Sequence, residues 1–435
     1  MTVPARRVRA ASRVTAVPLV VASTLRLRPL HRHPETCVKG VRSSRGRARP
    51  TGYALGMTVD VAPRPTSSAQ AEATRAGFVA APERIDGDTF VVPMPTGIPF
   101  VVSTLCYVLR DRTGAAHVID PGVNAPDNLD LLFRELRAHG IDRVATVTAT
   151  HLHPDHVGLA PLVREQTGAR LCLGRIEGDS VDAPWRERAG RVAALDAWGV
   201  PGDRRDDLLA IPESKAGARG ADADLLLDDG DELPVVGRSV RALVTPGHTP
   251  GHLCFVESEA NRVFTGDHVL PHINPGLGLG HPFDGNATSV GIAALEAIAA
   301  LDATGPRARS GVTVDEPDRE RYLDRDRQDA PIGGDRARLA DRDRPLEALP
   351  GHGYRFVGLR SRALAIAAHH RARTAEVAAV LERDPDASVW DTASRVQWTA
   401  GWDGLSGFHR LSALAQTAQH VDRARARQPD GSTTS

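Results

Sequence analysis

THLHPDHVG, residues 150–158, puts His151, His153 and His156 into one turn with Asp155, beside Pro154 and Gly158. The whole chain of 435 residues holds only 17 histidines, so this is a local concentration. It is either a polar surface loop or one wall of a metal site. His151 and His153 are two apart, and on an extended segment such side chains face the same way. Pro154 then begins a turn that carries Asp155 and His156 to the other side of a crevice. The preceding VATVTAT (144–150) is rich in β-branched residues and predicts a strand. The cluster therefore sits just past a strand, where layered α/β folds place their sites.

A metal site needs further ligands, and the chain supplies them in order. VTPGHTPGH puts His248 after a strand-like run, VFTGDHV puts Asp267 after another, and LPGHG puts His352 after a third. Neutral imidazoles and carboxylates are good zinc ligands. His151, His153 and His248 make one set; Asp155, His156 and His352 make a second. Asp267, with two oxygens, can bridge them. Two ions about 3.5–4 Å apart can share a nucleophilic hydroxide and stabilise a developing oxyanion.

The surrounding pattern is α/β. TFVVPM, STLCYVLRD, AHVIDPG, ARLCLG, SVRALVTPG, LCFVES and NRVFTGDHVL read as strands. DNLDLLFRELRAHG, LAPLVREQTG and SVGIAALEAIAALDA read as helices. Strands and helices alternate, which argues for a layered core. Residues 305–346 mix Asp and Arg with almost no apolar residues and read as a solvated insertion. After His352 the chain turns helical: Ala363, Ile366, Ala367, His370, Thr374, Val377 and Leu381 repeat at three and four. The organisation expected is an N-terminal extension over 1–75, a catalytic domain over 85–355 with its insertion, and a small helical domain over 356–435.

Composition excludes several classes. Lys+Arg and Asp+Glu both total 54, so nothing global points to nucleic acid or a lipid surface. No apolar run is long enough to span a bilayer. Cys37, Cys106, Cys172 and Cys254 are far apart, with no CxxC pair; a reducing, cytoplasmic setting fits. The first 56 residues are Arg-rich with Glu35 as the sole carboxylate. VTAVPLVVASTL (14–25) has a faint signal-peptide look, but Pro18 interrupts it and RLRPL follows where a cleavage site belongs. The plain reading is a disordered extension, with Met57 as an alternative start.

HxHxDH followed by PGHTPGH, TGDH and PGHG resembles the metallo-β-lactamase-fold hydrolase superfamily over roughly 85–300 and 347–435. The resemblance implies an αββα sandwich with metals at one edge of the paired sheets. Its ligands fall on His151, His153, Asp155, His156, His248, Asp267 and His352, holding two zinc ions, with iron or manganese also suited to these donors. It gives Asp155 a second role, orienting the attacking water. Asp120 in VIDPG matches a family Asp, read as supporting the ligands. His252 and His268 are read as structural neighbours, since seven ligands already fill two sites. His370 is read as helix packing, with His369 beside it.

Within that superfamily, Asp267 argues against true β-lactamases and His153 against flavodiiron proteins. The sequence is most similar to the glyoxalase-II-like group whose bacterial members end in a winged-helix-like domain. This implies hydrolysis of a small thioester or ester by a metal-bound hydroxide. The competing functions are a metal-dependent phosphodiesterase or nuclease, an iron-dependent persulfide dioxygenase, and a binding module formed by the C-terminal helices. The partner expected is a small-molecule substrate. Two departures stand out: the charged insertion precedes the last ligand, and the C-terminal domain differs from that of glutathione-thioester hydrolases.

Overall fold

The computed structural model describes residues 63–98, 101–181, 188–211, 221–279, 287–304 and 345–426. The N-terminal segment before residue 63, with Cys37 and Met57, and the charged stretch up to residue 344 lie outside the described residues.

Two sheets form the core. The seven-stranded sheet runs β2 (Glu83–Arg84), β3 (Thr89–Ile98), β4 (Val101–Arg110), β5 (Ala116–Ile119), β6 (Val144–Thr148), β7 (Arg170–Gly174), β8 (Leu225–Leu227). The six-stranded sheet runs β1 (Arg64–Pro65), β13 (Phe356–Val357), β12 (Glu347–Pro350), β11 (Arg262–Gly266), β10 (Leu253–Glu257), β9 (Arg241–Val244). Successive strand side chains alternate faces, and both faces here are apolar. Val91, Leu105, Tyr107 and Ile119 meet Ala242, Phe255, Phe264 and Leu349 between the sheets. Their neighbours Val92, Cys106 and Val118 face outward onto α2 (Pro126–Ala138) and α4 (Ala160–Thr167) through Leu132, Leu136 and Val163. On the far side, Cys254, Val256 and Val263 pack under α8 (Ala287–Thr304) and the first half of α9 (Leu359–Arg383). The result is an αββα sandwich. No helix among the described residues is long and apolar enough to cross a membrane.

Two boundaries differ from those expected. The chain is ordered well before residue 75. Arg64–Pro65 pairs with Phe356–Val357, and α1 (Ser68–Ala76) follows, capped by Ser67 and stopped at Gly77 in the left-handed region. SAQAEATRA carries no large apolar residue, so periodicity gives no face to find. Caps and Gln70 hold the helix instead; the Gln70 side chain accepts from Arg355 N–H at 3.1 Å. The second difference is at the C-terminal end. β13 belongs to the sandwich, and Leu359, Ala363, Ile366 and Ala367 pack on its sheet. Only the second half of α9, through Val377, Val380 and Leu381, joins α10 (Val389–Arg395) and α11 (Gly407–Ala426). Leu195 of α6 (Arg188–Ala197) and Leu208 of α7 (Asp206–Leu209) pack with Ala393 and Leu414. The helical cluster is thus built from two stretches of chain. Among the described residues no strand follows Val357, so no wing is seen.

One buried cation ties the sheets together. Arg262, 2% exposed, starts β11 and meets Asp86, in the turn between β2 and β3 of the other sheet, at 2.6 Å and Glu347 at 3.6 Å. Asp86 is 39% exposed and Glu347 keeps Arg355, so Arg262→Met should cost about 2 kcal/mol, the worth of the lost charge-assisted hydrogen bond. Urea midpoints with an unchanged slope would measure it; a shift near zero would show that Arg355 and Arg238 suffice for Glu347 and Glu257.

Candidate metal centre

All seven predicted ligands lie at one edge of the sandwich, each just past the C-terminal end of a strand. β6 delivers residues 151–156, β9 His248, β11 Asp267 and β12 His352. β9 and β11 both pair antiparallel with β10, and β12 runs parallel to β11, so their carboxyl ends share that edge. His153 is the N-cap of the short α3 (Pro154–Val157), where Pro at the first position suits the helix start. A register shift between Phe264 and Gly266 redirects β11 just before Asp267.

The side chains form two groups, with ligand atoms in each within 4.8 Å of one another. In the first, His153 Nδ1 lies 2.8 Å from His151 Nε2 and 3.1 Å from His248 Nε2, and Asp267 Oδ2 is 3.5 Å from His248 Nε2. In the second, His156 Nε2 and His352 Nε2 are 3.2 Å apart, and Asp155 Oδ2 is 3.4 Å from His352 Nε2. Asp267 Oδ1 is 3.4 Å from both of those nitrogens. Asp267 therefore turns one oxygen to each group. Its Oδ1 is buried without a hydrogen-bond partner, as expected of an atom shaped for an ion. Three imidazole nitrogens converging on one point, with no arrangement of protons that satisfies all of them, also fit a cation.

The outward ring nitrogens are fixed. His156 Nδ1 meets Asp120 Oδ2 at 2.9 Å, His248 Nδ1 the Gly276 carbonyl at 2.8 Å, and His352 Nδ1 the Ser103 carbonyl at 2.9 Å. Thr150 Oγ1 links His151 Nδ1 to Asp120 Oδ2, at 3.0 and 2.9 Å. Such contacts set which nitrogen is free to ligate. Asp120 holds this position at a positive φ of 53°, anchored where Thr150 N–H donates to Oδ1 at 2.7 Å. His252 belongs to neither group: its Nε2 accepts from Asp267 N–H at 3.1 Å and so steers the bridging residue. His268 is buried outside both groups, and His370 is buried against His420 in the helices. Two glycines keep the centre open. A Cβ on Gly351 would stand 2.6 Å from Asp267 Oδ1, and one on Gly266 2.7 Å from His252 Nε2.

Electrostatics differ between the groups. Burial holds His153 down to about 3, helped by neighbouring His248, and lowers His151 and His248 too. Burial would also lower His352, but Asp267 and Asp155 outweigh it and push it up to about 10. His156 is raised for the same reason, burial being outweighed by Asp267, Asp120 and Asp155.

Sequence reasoning missed Glu177, on α5 (Arg175–Asp179). Its buried carboxylate accepts from Leu152 N–H at 3.0 Å, Thr249 Oγ1 at 2.6 Å and Gly251 N–H at 3.0 Å. Leu152 lies between His151 and His153, and Thr249 follows His248. Glu177 thus clamps the two loops that form the first group. Nothing in GRIEGD marks this role, because it exists only once the loops meet. Glu177→Gln keeps one acceptor but replaces the other with a donor aimed at N–H groups. Metal affinity of the first group should fall about tenfold, read by competition with a chelating dye. Unchanged affinity would reduce the clamp to a fold contact.

Residues 99–304 match the family model for the metallo-beta-lactamase superfamily. The chain is 29% identical to a hydroxyacylglutathione hydrolase of Pseudomonas putida over 39% of this chain and 46% of that protein. It is also 29% identical to an atrochrysone carboxyl ACP thioesterase of Emericella nidulans, over 36% and 37% respectively. The match thus spans less than half the length of these curated relatives. A metallo-beta-lactamase family protein from Thermus thermophilus shares the fold, with a TM-score of 0.57, 22% identity, and coverage of 79% of this chain and 95% of that one. With two facing sheets flanked by helices and a His/Asp cluster at their shared edge, this chain carries a metallo-beta-lactamase superfamily domain.

Proposed function

We propose that the chain is a binuclear metal-dependent hydrolase of a small ester or thioester. The observation that carries this reading is Asp267, whose two oxygens face two ligand groups at once. His151, His153 and His248 would hold one ion, and Asp155, His156 and His352 the other. Zinc suits these donors, as do iron and manganese. Bound there, divalent ions supply Lewis acidity toward a carbonyl oxygen and a water acidified to near neutrality. Asp155 keeps 18% of its side chain exposed at the crevice; it orients water there and moves its proton. Asp120, through His156 and Thr150, holds the imidazoles in the ligating tautomer. The thioester preference is supported by the named activity of the Emericella relative, over little more than a third of this chain.

The test is elemental analysis of the purified full chain beside a turnover panel of acyl thioesters, esters, a bis-nitrophenyl phosphate and a persulfide. Two ions per chain with thioester or ester turnover, lost in Asp155→Ala, is the result expected. Activity confined to the phosphodiester, or one iron with oxygen uptake on the persulfide, would overturn it.

The opposite shifts of the two groups give a pH prediction. A ligating imidazole must be neutral. Burial lowers all three histidines of the first group, so its affinity should change less with pH than that of the second. His352 is protonated until about pH 10 in the metal-free protein and must release its proton on binding. The second ion should therefore bind more tightly as pH rises from 6 to 8, by about tenfold per unit for each proton released. Calorimetry in buffers of different ionisation enthalpy would count the protons; equal pH dependence of both ions would contradict the assignment.

A further inference from the structure

A groove opens beside the second ligand group. Its inner end is His352 and Gly353, and its walls are Ala73 and Phe78 from α1 and its exit, Val101 and Val102 from β4, and His272 and Ile273. Gln70, Ala73 and Thr74 present one helix face to it, spaced by three and four. From Gln70 to Phe78 the wall runs roughly 12 Å at the helical rise. Among the described residues no Lys, Arg, Asp or Glu lines it. Two of the chain's exposed large hydrophobics, Phe78 at 51% and Ile273 at 39%, stand on it. Large apolar side chains left in water around a concave surface without carboxylates or long cationic side chains mark a binding site for an apolar ligand.

We infer that this groove takes the aliphatic acyl chain of the substrate, with the carbonyl at the metal centre and the chain running outward between Phe78 and Ile273. This rests on the hydrolase reading above and narrows it: the substrates are acyl esters or thioesters with an unbranched, uncharged chain of several carbons. The continuity is covalent and hydrogen-bonded. His352 bridges to Thr104 and donates to the Ser103 carbonyl, so the strand that supplies Val101 and Val102 also holds a ligand of the second group. Among the described lining residues only His272 and His352 can carry charge, and both stand beside Gly353 at the inner end; the outer walls offer nothing to a carboxylate or phosphate, so the charged leaving portion of a thioester lies elsewhere.

Two readouts on the metal-loaded full chain test it. The first compares kcat/KM for octanoyl and acetyl nitrophenyl esters; burying the extra methylenes should favour octanoyl by at least about tenfold. Phe78→Asp and Ile273→Asp should bring that ratio close to one, mainly through KM, whereas Val236→Asp, equally exposed but outside the groove, should leave it. The second is equilibrium binding of dansyl-undecanoic acid, which does not depend on turnover; both groove variants should weaken it at least about tenfold. Ester turnover without chain-length preference, together with probe binding unchanged in both variants, would overturn the groove. Probe binding lost in the variants, with no ester or thioester turned over by any form, would uphold the groove and overturn the hydrolase reading instead.

Discussion

Asp267→Asn is expected to lower turnover by about 10³-fold, equivalent to about 4 kcal/mol of transition-state stabilisation, and to leave the protein with one bound ion or none. The reason is geometric before it is electrostatic. The carboxylate offers Oδ2 to the three-histidine group and Oδ1 to the other. An amide has one oxygen, so one group would face an NH₂ that cannot ligate and repels a cation. The charge matters as well. Burial alone would raise the Asp267 pKa, yet His352 and His156 hold it well below the usual carboxylate range. An asparagine would leave Asp155 as the only carboxylate among the seven candidate ligands, beside five imidazoles. Elemental analysis and circular dichroism on the same sample separate lost metal from lost fold. A variant that kept both ions and most of its activity would show that Asp267 does not bridge.

Asp120→Asn is the second large effect, although Asp120 touches neither proposed ion. Its Oδ2 accepts from Thr150 Oγ1 and faces His156 Nδ1. Asparagine tolerates the positive φ that Asp120 adopts, so the fold should survive. Its NH₂, however, donates where the carboxylate accepted. His156 would then have to accept at Nδ1 and carry its proton on Nε2, the atom aimed at the second ligand group. The expected loss in affinity for the second ion is about 10²-fold, with the first ion changed far less. Sequential metal titration followed by a chelator resolves the two. Equal loss at both groups would mean that Asp120 acts through Thr150 and His151 as strongly as through His156.

The seven candidate ligands could be picked out because each lies in a local motif. Histidines two apart before a proline, and a His or Asp just past a β-branched run, carry their geometry within a few residues. The sandwich was legible for a similar reason: Val91–Val92, Leu105–Cys106 and Cys254–Phe255 alternate between two apolar faces, leaving continuous apolar runs. What escaped depends on distant partners. Glu177 is one carboxylate in an undistinguished turn until two loops arrive at it. α1 has no apolar stripe and is held by caps and by Arg355, 285 residues away from Gln70. Leu195 and Leu208 gain their meaning from Ala393 and Leu414, far along the chain. The groove is invisible for the same reason, since Phe78, Val101 and Ile273 come from three separated stretches.

The most direct measurement is anomalous diffraction at the zinc edge from crystals of the zinc-loaded full chain. The account predicts two peaks, one ligated by His151, His153 and His248 and the other by Asp155, His156 and His352, both touching Asp267. A single peak, or two peaks with Asp267 bound to only one, would contradict it.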